Sequence, residues 1–308
     1  MIEIADALID ICGRENVYLN EPMMKHTSFR IGGPADWFVS PGSAEALCRV
    51  INYLRSGNVP YFILGNGSNL LVSDDGYRGV VIQIGKNMSD IEIDGTIVRA
   101  EAGALLSSAA SRAAAASLTG MEFAGGIPGS IGGACVMNAG AYGGEMKDIL
   151  KSVTALFKDG SVRKVPCVEL ELGYRSSALM KNGAIVLEAE MSLTEGNIEE
   201  IRSTMDDLKE RRVSKQPLDL PSAGSTFKRP EGYFAGKLIM DSGLRGYAVG
   251  GAQVSEKHCG FVVNRGGATA GDVMALIRHV QKTVLDTFGV ELVPEVRFLG
   301  DFGSKGED

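Results

Sequence analysis

The feature of this sequence that most restricts its fold is a glycine-rich stretch from Thr119 to Asp148. Glycine adopts positive φ and lets the backbone approach a ligand closely, at an entropic cost that fold stability alone rarely justifies. A flexible linker is the alternative, but linkers are polar, and this stretch carries apolar side chains at Phe123, Ile127, Pro128, Ile131, Val136 and Met137. It matches neither the GxxxxGK[ST] nor the GxGxxG phosphate pattern. We therefore predict a backbone cradle for a flat or anionic ligand.

A second glycine segment, Gly65-Asn-Gly-Ser-Asn69, lies between the apolar segments YFIL and LLV. Glycine and asparagine tolerate left-handed backbone, and successive amides in such a turn can bind an anion. A plain β-turn is the alternative interpretation.

Composition limits the classes of partner, metal site and cellular location that this protein can have. The net charge of −7 argues against nucleic acid as the main partner. The five cysteines are odd in number and scattered, which indicates reduced thiols, and three histidines without HxxxH make a metal centre unexpected. The acidic first twenty residues and the lack of a long apolar run predict neither signal peptide nor membrane span, and hence a cytoplasmic protein.

Apolar periodicity and turn residues predict mixed helices and strands without regular βαβ alternation, which favours an α+β fold. The predicted helices are 4–12, 43–56, 105–118, 197–213, 233–242 and 270–288, and the predicted strands 61–64, 79–84, 90–93, 96–101, 152–157, 161–165, 184–193, 258–263 and 290–299.

Between Lys209 and Arg245 the chain carries eight basic and four acidic residues. Such a cluster is usually a solvated face. The alternative is a pocket for an anionic ligand, because Lys228, Arg229 and Lys237 flank the segment Gly224-Ser-Thr-Phe227.

Seven segments closely resemble the UDP-N-acetylenolpyruvoylglucosamine reductase family, in order from about His26 to Gly300. They are HTSFRIGG, LGNGSNLLV, EFAGGIPGSIGGACVMNAGAYGGE, GYRSSAL, AGSTFKRP, AGKLI and PEVRFLG. The short stretch between Arg175 and Ser225 leaves no room for an extra tyrosine-bearing loop, so the chain resembles the shorter, second type of this family.

The resemblance implies an α+β fold with a two-part FAD-binding region of the vanillyl-alcohol-oxidase (PCMH) type and a smaller α+β substrate-binding domain. The expected divisions are 1–80 and 81–200 for the two FAD-binding parts (PCMH-type region about 30–195), 201–300 for the substrate domain and 301–308 for a tail.

The resemblance also implies the activity: NADPH-driven, FAD-dependent reduction of a nucleotide-sugar enolpyruvyl ether to UDP-N-acetylmuramate for peptidoglycan. Arg175 and Glu295 are expected to stabilise an enol-like intermediate, and Ser225 to donate the proton. Taken alone, Arg175 could equally be a surface charge, Glu295 a salt-bridge partner and Ser225 a turn residue.

The other expected contacts also follow from the resemblance. Substrate contacts are expected from Tyr174, Lys228 and Lys237. Contacts to noncovalent FAD are expected from Gly65, Asn66, Gly67, Ser68, Asn69, Leu70, Gly125, Gly126, Ile127, Pro128, Gly129, Ser130, Gly132, Gly133, Asn138 and Arg212. We expect no bound metal, and we expect the protein to be a monomer.

Two other classes stay open. Another FAD-dependent oxidase or dehydrogenase would share the glycine segments but not the GSTFK, YR and PEVRF set. A non-enzymatic nucleotide-sugar binding module would lack the yellow colour of bound flavin.

Overall fold

The computed structural model of the chain describes residues 2–303, and the chain divides into two compact units. Unit 1 comprises the chain up to Tyr18, Phe38–Asn66 and Val81–Arg212. Unit 2 comprises Leu19–Trp37, Gly67–Val80 and the chain from Val213. The predicted three-part division stays a prediction, and residues 304–308 of the predicted tail lie outside the described residues.

The α-helices follow the predicted order, with short helices added around the glycine-rich stretch. They are α1 (Ile2–Cys12), α2 (Ala44–Ser56), α3 (Leu106–Ala115), α4 (Ile131–Met137), α5 (Met146–Ile149), α6 (Ala178–Asn182), α7 (Ile198–Lys215), α8 (Ala235–Asp241) and α9 (Ala270–Phe288).

The strands are short, and all of the longer predicted strands but the last are found. They are β1 (Val17–Pro22), β2 (Pro34–Val39), β3 (Tyr61–Leu64), β4 (Leu70–Val72), β5 (Tyr77–Gln83), β6 (Ile91–Asp94), β7 (Ile97–Glu101), β8 (Leu118–Thr119), β9 (Gly140–Ala141), β10 (Gly144–Glu145), β11 (Leu150–Leu156), β12 (Val162–Pro166), β13 (Ile185–Ser192), β14 (Thr194–Glu195), β15 (Ser222–Ser225), β16 (Ala248–Val249), β17 (Ala252–Val254), β18 (Phe261–Asn264) and β19 (Arg297–Leu299).

Unit 1 is built on a five-stranded antiparallel sheet of order β12-β11-β13-β7-β6. The hairpin β6–β7 turns at Gly95, whose φ of 57° suits a residue without Cβ. The central strand β13 is almost wholly buried. Four further strands form a sheet of order β1-β2-β5-β3, and the chain passes between the units inside β1, β2 and β5.

Unit 2 packs helix α9 against a sheet of order β15-β18-β17-β16. The apolar residues that sequence periodicity predicted on one face of α9 are buried in the core of this unit, together with Val254 and Val262 of the sheet: Val273, Leu276, Ile277, Val280 and Val284. The predicted capping pair is a capping box, in which Thr269 and Asp272 each bond the other's backbone N–H.

Two predicted strand boundaries are wrong. The last strand, predicted at 290–299, covers only Arg297–Leu299, and Pro294 has no N–H to donate to a ladder. Strand β18 begins at Phe261 instead of residue 258, because the Phe261 and Gly260 amides both bond back to His258 in a tight turn.

Candidate active site

The glycine loop (residues 125–133) joins the region of α3 to α4 in unit 1. Its end is held to the preceding segment 102–106, because Leu106 donates to the Gly129 carbonyl at 3.0 Å and Ile131 donates to the Ala104 carbonyl at 2.8 Å. Gly132 donates in the same way to Ala102 at 2.8 Å. The loop is therefore an anchored part of the unit, and the linker interpretation is wrong.

The second glycine segment begins against this loop. The Asn66 side chain donates to the Pro128 carbonyl at 2.8 Å. A Cβ atom at Gly65 would lie 2.5 Å from the Ser130 hydroxyl oxygen, so a larger residue there would displace the Ser130 side chain. Unit 1 thus brings together parts of the two glycine segments that the sequence singled out.

Backbone amides of the glycine loop are available to a ligand. Among the described residues of unit 1, the N–H groups of Gly126, Gly129 and Ser130 donate to no protein acceptor. Three such donors within five residues suit an anionic group such as a diphosphate. This donor set fits the FAD that the sequence led us to expect.

Arg212 of α7 adds positive charge at the loop. Its guanidinium donates to the Gly126 carbonyl and lies 5.9 Å from the ring centroid of Tyr142. Burial lowers the pKa of Arg212, with Tyr142 opposing the shift, but arginine starts from so high a value that it stays charged. The expected flavin contact Arg212 therefore lies at the glycine loop.

The Arg175 loop (residues 171–177) carries Tyr174 and Arg175. Arg175 adopts a φ of 52°, a conformation that side chains other than Gly, Asn and Asp rarely adopt. Gly173 and Ser176 donate to each other's carbonyls at 3.1 and 3.2 Å, which closes the turn. The Arg175 guanidinium lies 5.2 Å from the ring centroid of the exposed Tyr174.

Asn138, an expected flavin contact, follows α4 with a φ of 43° and is 1% exposed. Its Nδ2 donates to the Glu145 carboxylate at 2.7 Å and to the Gly173 carbonyl at 3.1 Å. Its Oδ1 accepts from the Lys147 amide at 2.9 Å. The side-chain amide thus connects the end of α4 to the Arg175 loop.

The remainder of the second glycine segment lies in unit 2. Gly67 has a φ of 62°, and a Cβ there would run into the His26 carbonyl. Asn69, another expected flavin contact, donates through Nδ2 to the Glu295 carbonyl at 3.2 Å. Its own carbonyl accepts from Arg297 at 3.0 Å. In unit 2, Asn69 therefore fixes the backbone around Glu295.

Ser225 ends strand β15 with an exposed side chain. It pairs with Phe261 across an irregular register, and Gly224 before it has a φ of 77°. Such irregularities re-aim the side chain at the end of a strand. The next residue, Thr226, is held from both sides: its N–H donates to the Gly260 carbonyl at 2.8 Å, and its hydroxyl accepts from Val262 at 2.9 Å.

Glu295 lies beside this segment. Its N–H donates to the Thr226 carbonyl at 2.8 Å, and Phe227 forms a β-bridge with Pro294. Two residues of the expected catalytic set, Ser225 and Glu295, therefore come together in unit 2 although 70 positions separate them in the sequence.

The two expected substrate lysines lie on elements that follow Ser225. Lys228 is half-buried, and its N–H donates to the Val293 carbonyl at 2.9 Å. Lys237 is exposed on α8 and forms an ion pair with Asp241 at 2.7 Å. A ligand phosphate would have to compete with that carboxylate.

Sequence reasoning missed three residues that build these surroundings, namely Tyr142, Glu145 and Thr226. Tyr142 and Glu145 lie in the turn AYGGE of the glycine-rich stretch, and the φ of 54° at Tyr142 marks it as a special position. Nothing local in the sequence indicates that Thr226 joins Ser225 to Glu295.

Residues 2–303 hold no group of three or more His, Cys, Asp or Glu side chains placed to bind a metal ion. None of their helices combines the length and the apolarity needed to cross a membrane.

Comparisons with known proteins give concordant results. Residues 35–166 match the model of an FAD binding domain, and residues 216–299 match that of the UDP-N-acetylenolpyruvoylglucosamine reductase C-terminal domain. The reductase of that name from Agathobacter rectalis is 57% identical over 92% of this chain and 94% of its own. That from Caldanaerobacter subterraneus subsp. tengcongensis is 53% identical over 97% and 98%.

A solved structure agrees with these sequence relatives. The crystal structure of the reductase from Thermus caldophilus is 36% identical, superposes with a TM-score of 0.79, and covers 92% of this chain and 98% of its own. The chain belongs to the UDP-N-acetylenolpyruvoylglucosamine reductase family of FAD-dependent oxidoreductases, as the seven sequence segments predicted.

Proposed function

We propose that this protein reduces UDP-N-acetylglucosamine enolpyruvate to UDP-N-acetylmuramate, and that Arg175, Ser225 and Glu295 carry out the chemistry at the substrate. The observation that supports this most directly is the bond from the Glu295 amide to the Thr226 carbonyl. It joins the segment that carries Ser225 to the segment that carries Glu295, within the residues that match the family's C-terminal domain.

The glycine loop and residues Gly65–Leu70 are proposed to hold FAD through backbone N–H groups, and Arg212 to supply positive charge. When bound, FAD supplies a hydride to the substrate, and NADPH is the proposed source of that hydride. A noncovalent site is proposed because amide donors and one guanidinium can hold a diphosphate without a covalent link.

Addition of hydride to the β-carbon of the enolpyruvyl group drives negative charge onto the α-carbon and the carboxylate. The Arg175 guanidinium and the Glu295 side chain are proposed to stabilise this charge. Groups fixed before the reaction stabilise such charge most effectively. The left-handed backbone at Arg175 fits this role, because strained residues persist where the surrounding structure holds them.

Ser225 is proposed to complete the reduction by donating its hydroxyl proton to the α-carbon. The C=C bond then carries one added hydride and one added proton, and the serine recovers its proton from solvent. A hydroxyl is a weak acid at neutral pH, so the step requires the strongly basic α-carbon that hydride addition creates.

Tyr174, Lys228 and Lys237 are proposed to contact the nucleotide sugar. The protein is proposed to act as a monomer in the cytoplasm.

An anaerobic experiment tests this function against the other flavoenzyme class. The bound flavin is reduced without oxygen, and UDP-N-acetylglucosamine enolpyruvate is added. We expect rapid reoxidation with this substrate and none with UDP-N-acetylglucosamine, which lacks the enolpyruvyl group. The other class would give two different results. Its reduced flavin would stay reduced with both nucleotide sugars, and its oxidised flavin would be reduced by small hydroxy compounds.

A further inference from the structure

Asn138 makes contacts that its position at a helix end does not require. A residue that ends a helix in the left-handed region needs only the backbone conformation, and glycine meets that need best. Asn138 has this conformation, and its N–H bonds back into α4. Its side chain is nevertheless 1% exposed and uses both amide atoms.

The contact that matters is the one to the Arg175 loop. Nδ2 of Asn138 donates to the Gly173 carbonyl at 3.1 Å, two residues before Arg175. Gly173 is also the residue that closes the turn with Ser176. The asparagine therefore bonds the loop at the residue from which the turn around Arg175 starts.

A second bond supports the loop from the same helix. The Ser177 hydroxyl donates to the Val136 carbonyl at 2.7 Å. Both ends of the turn are thus tied to α4, which continues directly from the glycine loop. Between these two bonds Arg175 has a φ of 52°, a strained conformation that such a side chain keeps only where the surrounding structure holds it.

The amide is itself held in one orientation. Glu145 accepts its second Nδ2 proton at 2.7 Å, and the Lys147 amide donates to Oδ1 at 2.9 Å. The Glu145 acceptor and the Lys147 donor fix which atom of the side chain faces Gly173, so the asparagine cannot rotate away without losing three bonds.

We propose that Asn138 is a positioning residue that sets the place of Arg175 through Gly173, and so governs the rate of the substrate-dependent step. This inference rests on the proposed role of Arg175 in that step. A displacement of about 1 Å at a reacting group can cost about 10²-fold in rate.

The decisive variant is Asn138→Gly, which keeps the left-handed backbone and removes the amide. We expect that, once saturated with FAD, this variant shows reoxidation by substrate slowed about 10- to 100-fold, whereas its reduction by NADPH slows far less because the glycine-loop amides and Arg212 are unchanged. Asn138→Asp keeps the acceptor for Lys147 but loses both donors, and is expected to slow the same step. It serves as the second variant if Asn138→Gly does not fold.

Asn87→Ala is the matched control. Its side-chain amide also joins loops of unit 1, at Asn16 and Ser40, and within residues 2–303 it forms no hydrogen bond to the Arg175 loop or the glycine loop. We expect it to lower the melting temperature without separating the two half-reactions.

A double variant separates this inference from the proposed function. If Asn138 acts through Arg175, adding Asn138→Gly to Arg175→Ala causes no further slowing of reoxidation, since effects through one group are not additive. Additive slowing, equal slowing of both half-reactions, or loss of FAD from Asn138→Gly would overturn the inference. Fast reoxidation in Arg175→Ala alone would instead overturn the proposed role of Arg175.

Discussion

Ser225 occupies a position that a serine needed only for a turn would not require. It is exposed, it follows Gly224 in a left-handed conformation, and the following residue is bonded on both sides. The backbone is thus fixed while the hydroxyl stays accessible, which is the arrangement expected of a group that transfers a proton to a ligand.

Replacing Ser225 by alanine tests the proton-donor role. Reduction of the flavin by NADPH needs no proton at the substrate α-carbon, so Ser225→Ala should leave this half-reaction nearly intact. Reoxidation by substrate should fall by ~10²–10⁴-fold, the usual contribution of a general acid. Ser225→Cys can still donate a proton and should recover part of the rate. Stopped-flow absorbance of the flavin measures both steps.

A purely structural serine gives a different pattern. Alanine would then cost ~1 kcal/mol of stability and change both half-reactions to a similar small extent. Small equal effects on the two steps would remove Ser225 from the mechanism.

Sequence segments supplied the candidate residues, but they did not predict the backbone conformations of those residues. The GSTFK and PEVRF segments pointed to Ser225 and Glu295. The positive φ of Arg175 had no sequence signal, because arginine rarely adopts it. Asn69 and Asn138 were expected at the flavin, and the structure shows their amides bonded to the loops that carry Glu295 and Arg175; their flavin contacts stay predictions.

At the scale of elements, the sheet of unit 1 carries a charge cluster on β13. The Glu190 side chain is 5% exposed and accepts from Lys151 and Lys164, each at 2.7 Å, with Arg99 at 3.6 Å. Hydrogen bonds from Lys151 and then Lys164 lower the pKa of Glu190 to about 2 from its usual 4.5. The cluster therefore ties β13 to its neighbours β11 and β7, and to β12 on the far side of β11.

This shift predicts a pH-dependent contribution to stability. Because the folded pKa lies below the unfolded one, the contribution is complete above about pH 5 and is lost as the pH falls towards 2. The lysines are half-exposed, so solvent screening limits the contribution to about 1 kcal/mol.

Denaturant unfolding of wild type and Glu190→Gln at pH 7 and pH 3 measures that contribution. We expect the variant to be less stable at pH 7 and the difference to shrink at pH 3. A difference that is equal at both values would show that the charge of Glu190 is not what stabilises the sheet.

Elements with strong local signals were predicted well. Helix α9 has an apolar face, a capping box and a terminal glycine, and its bounds match the predicted 270–288. The last strand failed because β19 pairs in parallel only with β4, which lies more than two hundred residues earlier. No local pattern reports where such a partner begins or ends.

At the scale of the whole molecule, the two units could not be read from the chain order. Unit 2 includes Leu19–Trp37 and Gly67–Val80 besides the C-terminal region. Strand pairings between distant residues, such as Arg297 with Leu70, hold unit 2 together. The composition of the sequence does not indicate these pairings. Membership of the family, in contrast, followed from the order of seven short segments.

The anchored glycine loop predicts that the protein copurifies with noncovalent FAD. The backbone donors and Arg212 can hold a diphosphate without a covalent bond. Acid precipitation of the yellow protein should leave the flavin in the supernatant, where its absorption spectrum identifies it. Flavin retained in the pellet would contradict noncovalent binding, and a colourless protein that takes up no added FAD would contradict the flavin site itself.

The most direct test of the central claim is the stoichiometry and product of complete turnover. Purified protein is incubated without oxygen with NADPH and an equal amount of UDP-N-acetylglucosamine enolpyruvate, and the nucleotide sugar is analysed by mass spectrometry. We expect one product molecule per NADPH oxidised, heavier than the substrate by two hydrogen atoms and identical to UDP-N-acetylmuramate. Recovery of unchanged substrate from a protein whose bound FAD is reduced by NADPH would contradict the proposed reduction.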